Sequence, residues 1–279
     1  YQKILDEDRS PPGSLSMGTT GRGELQRAAS LSEAGSHHEI IERHRRRNTQ
    51  YGSDELVTLI EHAAKSVAEK FPGSTLRVGN LSYRSGGDIP WSGSHNSGRD
   101  ADLAFFCENR ETGEPVVAPD LLSFDENGIA RKHPGLAFDV ERNWQLVRSI
   151  LTHPDIDVQW IFVSLPLKQE LLEHAEKLGE DSSLIEAAGS VLHQPTDAPP
   201  HDDHFHLRIT CSTQDRLEGC LDFGPRWEWV DWNYDDLLAR TLALRDALHD
   251  DAPQGPLAGL DFLDRIRHPC GALGALRRA

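Results

Sequence analysis

The stretch "GSHNSGRDADLAFF", residues 93–106, sets a histidine, an arginine and two acids around two glycines, then runs into an apolar segment. A carboxylate at the mouth of a buried strand must be paired or ligated, because desolvating it alone is costly. Alternate side chains of a strand share a face. Asp100 and Asp102 therefore share one face, while Ala101, Leu103 and Phe105 turn into the core. His95 lies seven residues before Asp102, and Gly98 between them allows the chain to fold back.

A second stretch has the same character. In "HDDHFHLRI", residues 201–209, His204 and His206 point one way and Phe205 and Leu207 the other. If the two strands are neighbours, His95, Asp102 and His206 converge on one point. Two imidazoles and one carboxylate suit zinc, with a fourth position open for water, as in a catalytic rather than a structural site. There is no C-x2-C pair to suggest a cysteine-ligated structural zinc. A metal-bound water needs a base and charge stabilisation. His204 is the candidate base, and His201 is its candidate partner or a stabiliser of charge. Asp100, Asp202 and Asp203 are candidates to orient imidazole N–H groups. The bland alternative is two polar strand ends on a solvated rim.

Around these stretches the pattern predicts a mixed α+β chain. Ser53 caps a helix whose Leu56, Leu59, Ile60, Ala63, Ala64 and Val67 recur on one face. Strands are expected at 76–83, 101–106, 158–165 and 204–211, a short hairpin within 108–137, and helices near 143–153, 167–179, 182–193 and 234–250. Strands and helices do not alternate in a βαβ rhythm, so α+β is expected over a doubly wound fold. Residues 1–50 read as an arm or loops packed on the domain, 51–225 as the core and 226–279 as a C-terminal helical extension. The basic run "ERHRRRN", 42–48, reads as a solvated face.

The 279 residues suffice for a real core. A formal net charge of −16 argues against nonspecific nucleic-acid binding, which needs clustered Lys and Arg. No apolar run reaches the roughly 20 residues of a membrane span. "YQKILDEDRS" is polar and no signal peptide, so a processed or trimmed chain is expected. Arg84 and Arg99 are expected either to offset the acidic surface for an anionic substrate or to be plain solvated loop residues. Cys107, Cys211, Cys220 and Cys270 allow three complete pairings. Cys211 and Cys220 enclose a short polar loop and read as a local disulfide or as two separate buried thiols.

The motifs H-x6-D in "SHNSGRDAD" and H-x-H in "HDDHFHLRI" resemble the LAS metallopeptidases, the group of lysostaphin-type enzymes, D-alanyl-D-alanine metallopeptidases and hedgehog domains. Within it the chain is most similar to the penicillin-insensitive murein endopeptidases, which carry "SHQxGxDxD" and "HDDHxHxR". The likeness extends over roughly residues 12 to 225. It implies a small antiparallel sheet flanked by helices. It implies zinc ligands at His95, Asp102 and His206, assistance to water by His204, and a place in the site for His201. It also supports pairing Cys211 with Cys220. The implied reaction is hydrolysis of D-alanyl–meso-diaminopimelyl cross-links of peptidoglycan, in the periplasm or cell envelope. It proceeds without an acyl-enzyme for penicillin to mimic. The resemblance departs at Ser92, where the family often has a histidine, and leaves Cys270 without its family partner, so that a Cys107–Cys270 pair is a guess. Two other readings compete: a D,D- or L,D-carboxypeptidase of uncross-linked stems, and a noncatalytic zinc-containing module that binds the cell wall.

Overall fold

The computed structural model describes residues 13–196 and 198–230. The expected helix at 234–250, most of the 226–279 extension, Cys270 and the first twelve residues lie outside the described residues.

The chain is α+β, with six helices among the described residues. Its strands are β1 (Leu15–Thr19), β2 (Arg22–Gln26), β3 (Ala29–Ser30), β4 (His38–Ile40), β5 (Tyr51–Gly52), β6 (Leu76–Val78), β7 (Asp100–Ala104), β8 (Cys107–Asn109), β9 (Pro115–Val116), β10 (Leu136–Phe138), β11 (Val158–Phe162), β12 (Leu192–His193) and β13 (His204–Ile209). Its helices are α1 (Glu42–Arg45), α2 (Asp54–Lys70), α3 (Val140–Leu151), α4 (Leu165–Leu178), α5 (Ser182–Val191) and α6 (Thr213–Leu217). Six strands form one sheet in the order β12-β11-β13-β7-β6-β4. The expected small antiparallel sheet is thus corrected to a six-stranded mixed one. The three inner pairings are antiparallel, whereas β12 joins β11 and β4 joins β6 in parallel.

The alternation read in the two key stretches decides how the sheet packs. Ala101, Leu103, Phe205, Leu207 and Ile161 are essentially inaccessible and join one cluster with Leu59, Ile60 and Val67 of α2 and Trp144, Val147 and Ile150 of α3. Ser53 caps α2 by accepting from the Leu56 N–H at 3.2 Å, as its position predicts. Helix α3 starts earlier than the apolar pattern suggests, because Asp139 caps it through the Arg142 N–H. Helix α4 ends at Gly179, whose φ of +69° suits a residue without a Cβ. Phe105 stands edge-on to Phe124, Phe138 and Phe205, fastening the small sheet β10-β8-β9 to the core.

The chain before residue 51 does more than lie against the core. Strand β4 is an edge of the main sheet, and β1 and β2 form a hairpin against the loop before β7. The hairpin also meets the segment that closes the disulfide loop: the Gly18 N–H donates to Gly219 O at 3.0 Å, and the Leu221 N–H to Gly18 O at 2.8 Å. Cys211 and Cys220 form a disulfide, whereas Cys107 is a buried free thiol. Arg99, expected on an exposed loop, is 1% exposed. It donates to Ile209 O, Leu221 O and the Asp222 carboxylate, so it ties the start of β7 to the disulfide loop and does not steer an anionic substrate.

Candidate metal centre

The face of the sheet turned away from the helices carries the polar residues. In β13 against β7, His206 stands opposite Asp102, Arg208 opposite Asp100 and His204 opposite Ala104. Strand β11 adds Phe162 opposite His206. His95 arrives from the loop before β7, with its own backbone at φ +72° and Gly98 at φ +75°. At that φ an L side chain is strained, and a Cβ on Gly98 would also press on the Leu25 side chain and the Ser53 backbone nitrogen, so the reversal favours glycine. A non-glycine residue at positive φ is uncommon, and such strain gathers at functional sites.

His95, Asp102 and His206 are buried, and each offers a donor atom within 4.8 Å of the others. Their hydrogen bonds decide which atoms those are. His95 Nδ1 lies 2.6 Å from Leu81 O, which can only accept, so that nitrogen carries the proton and Nε2 keeps its lone pair. His206 Nε2 lies 3.1 Å from Asp100 Oδ1 and is protonated for the same reason, leaving Nδ1 bare. Asp102 Oδ2 accepts from Asn80 at 2.8 Å, leaving Oδ1 to face the other two. Asp102 Oδ1 is 3.1 Å from His95 Nε2 and 3.5 Å from His206 Nδ1. Donors placed tetrahedrally about 2.0–2.1 Å from one zinc ion stand about 3.3 Å apart. Such a buried set is held together either by protons shared between the rings and the carboxylate or by a cation among them. The donor set therefore fits a metal ion.

The electrostatics agree. Burial pushes His206 down to about 4, keeping it a neutral imidazole, the form that ligates. Burial opposes charge on His95 and His204 as well, but the Asp102 carboxylate outweighs it; His95 is raised and His204 reaches about 10. Asp100 and Asp102 are held well below the carboxylate range despite burial, Asp100 chiefly by Arg208 and Asp102 chiefly by His95 and His204. This excess of buried negative charge draws either protons or a metal cation.

The other expected residues divide. His204 Nδ1 donates to Asp203 Oδ1 at 2.6 Å and turns Nε2 toward Asp102 Oδ1 at 3.2 Å. His201 donates from Nδ1 to Pro199 O, with its ring centroid 5.2 Å from that of His204 and 5.5 Å from that of His206. His201, His204 and His206 make a second group of donor atoms that could hold a metal, sharing His206 with the first. Asp100 accepts from His206, from the His95 backbone N–H and from Arg208 at 2.6 Å. Asp202 stands apart from the role expected of it: its carboxylate meets Arg131, and its carbonyl accepts from the Phe124 N–H. Ser92 accepts from the Ser94 N–H in the loop before His95.

Sequence reasoning missed Asn80, the Leu81 carbonyl and Arg208, all of which hold site residues in place. Asn80 had a visible signal: a lone amide in the apolar run "LRVGNLSY". The strand there stops at Val78. A Cβ on Gly79 would come within 2.9 Å of the Asp102 Cβ, so only glycine lets the chain pass so close.

Comparisons with known proteins point the same way. A curated protein from Haemophilus influenzae named penicillin-insensitive murein endopeptidase is 27% identical over 217 residues, covering 76% of this chain and 69% of its own length. The family model described as penicillin-insensitive murein endopeptidase matches residues 16–223, a span that includes every histidine and aspartate of the cluster. The chain, a peptidase, belongs to the penicillin-insensitive murein endopeptidase family.

Proposed function

We propose that this protein is a zinc-dependent endopeptidase that cleaves D-alanyl–meso-diaminopimelyl cross-links in peptidoglycan, on a LAS-type metallopeptidase fold, in the periplasm or cell envelope. The observation that carries the reading is the convergence of His95 Nε2, Asp102 Oδ1 and His206 Nδ1, each with its other polar atom already engaged. Zinc, when bound, supplies a Lewis acid and acidifies a water at neutral pH.

His95, Asp102 and His206 would hold the ion. Asp100 fixes the tautomer of His206, and Arg208 keeps Asp100 ionised. Asp203 fixes one proton of His204 on Nδ1, so Nε2 is the atom that would exchange a proton with the nucleophile and the leaving amine; the Asp102 charge that raises His204 to about 10 would be offset by a cation held on Asp102, freeing Nε2 to act as base. His201 has its Nδ1 proton committed to Pro199 O, and burial and the neighbouring His204 favour its neutral form, so its Nε2 faces the site as an acceptor that would orient a donor group of the substrate or the attacking water. The Cys211–Cys220 bridge fits an oxidising compartment. No helix among the described residues is long and apolar enough to cross a membrane. The working division of the chain is a catalytic core over 51–225, completed by β4 and the β1–β2 hairpin of the segment before it, and an extension from 226.

The test is digestion of purified muropeptides with metal analysis of the same protein. Loss of cross-linked dimers, abolished by a chelator and restored by zinc, supports the proposal. Shortening of monomer stems alone would make the enzyme a carboxypeptidase. Binding of zinc and peptidoglycan with no product would make it a wall-binding module.

A further inference from the structure

We infer that Asn80 is a positioning residue for Asp102, and that the basic turn at residues 44–49 is the clamp that fixes it. The inference rests on the metal reading above. Asn80 is 4% exposed, and its side chain spans two chemically opposite environments. Its Oδ1 faces His44 Nδ1 at 3.0 Å, Arg47 Nη1 at 3.1 Å and Thr49 Oγ1 at 3.2 Å. A guanidinium can only donate, so this end of the amide must be the oxygen. Its Nδ2 then faces Asp102 Oδ2 at 2.8 Å, and an ionised carboxylate can only accept. The amide has one allowed orientation, set independently at both ends.

The effect on Asp102 is specific. With Oδ2 held by Asn80, the carboxylate presents a single oxygen, Oδ1, to His95 Nε2 and His206 Nδ1. The backbone reinforces this placement: the Asp102 N–H donates to Asn80 O at 2.9 Å, and the Gly79 N–H to Asp102 O at 2.7 Å. The next residue serves the next ligand, since Leu81 O receives the Nδ1 proton of His95. Leu81 is itself anchored to the turn by its N–H on Thr49 O at 2.7 Å. The tripeptide Gly79-Asn80-Leu81 thus orients two of the three donors, and the turn holds the tripeptide. The run "ERHRRRN" is therefore not simply a solvated face: His44 is 2% exposed, and Arg47 reaches inward past Trp91, over whose ring it lies at 4.5 Å.

The experiment measures metal binding as well as turnover. Zinc affinity is determined by chelator competition for the wild type, Asn80→Ala, Arg47→Ala and Asp181→Ala. The last removes the cap of α5 on Ser183 N and so lowers stability away from the site. Loss of an outer partner of a ligand typically weakens metal binding 10–100-fold. Asn80→Ala is expected in that range, Arg47→Ala several-fold weaker than wild type, and Asp181→Ala unchanged. The cobalt-substituted Asn80→Ala protein is expected to lose visible band intensity as Asp102 becomes free to bind through both oxygens. Should Asn80→Ala fail to fold, Arg47→Ala carries the test alone. Zinc affinity within twofold of wild type and an unaltered cobalt spectrum in the variants would overturn the inference while leaving the metal reading intact. A wild type that binds neither metal would overturn both.

Discussion

Replacing Asp215 by asparagine should stabilise the protein at neutral pH and lose that advantage in acid. Asp215 lies in α6, inside the disulfide loop, and is 2% exposed. Burial is the largest influence on its carboxyl and Glu55 adds to it; hydrogen bonds from Ser16 and Ser212 and the charge of Arg99 pull the other way. The balance raises the group from 3.8 to about 6. The folded protein therefore binds this proton more tightly than the unfolded chain does. Below about pH 4 the group is neutral in both states and costs nothing; between pH 4 and 6 it ionises at the expense of the fold. A shift of two units corresponds to about 3 kcal/mol, an upper bound once local relaxation is allowed. Asparagine keeps an oxygen for the Ser16 N–H, which Asp215 Oδ1 now accepts at 3.0 Å, and brings no charge. Urea unfolding of both oxidised proteins from pH 4 to 7.5 should show a gap near zero in acid that widens to about 2–3 kcal/mol in favour of the variant at neutral pH. The site histidines are the same in both proteins, so whatever they contribute cancels in the difference. A gap that does not change with pH, or a variant less stable at pH 7, would show that Asp215 is not a strained carboxylate.

Other outcomes bear on the site and its frame. His206→Ala should lose both metal and turnover, while His204→Ala should keep its metal and lose about 10²–10⁴-fold in turnover. Full activity in His204→Ala, assayed with metal content, would remove it as the base. Gly79→Ala pushes a methyl against the Asp102 backbone and Cβ, and chelator competition should show zinc held on the order of tenfold less tightly. Replacing Cys211 and Cys220 by serine opens a loop with a sequence separation of 9. Loop-closure entropy puts the cost at about 2–3 kcal/mol, readable as a lower denaturation midpoint.

The two motif stretches were legible because strand alternation is a strict period of two. Once Leu103 and Phe205 had to face a core, Asp102 and His206 had to face away from it. The caps at Ser53 and Gly179 were legible for a similar reason, since each depends on local chemistry. What could not be read was anything decided by distant pairing. Nothing near His38–Ile40 announces that it will edge the main sheet beside β6, because three residues carry no period. Arg99 looked like a loop arginine until Ile209, Leu221 and Asp222 closed over it from more than a hundred residues away. Asn80 looked like a weak strand residue until the turn at 44–49 supplied its partners.

The tie between the β1–β2 hairpin and the disulfide loop has a consequence for the timing of synthesis. A chain emerging from its N-terminus offers the hairpin first, His95 and Asp102 much later, and His206 later still. The hairpin closes on Gly219 and Leu221, and Asp215 accepts from Ser16, so β1 waits for nearly the last residues of the matched region. A fragment that ends at Ile209 carries all three candidate donor residues and β13, yet lacks the Gly219 and Leu221 groups on which the hairpin closes. The hairpin that borders the His95 loop, through Thr20 O on the Asn96 N–H, thus reaches its final pairing only after residue 221 has been made, later than the three candidate donor residues themselves.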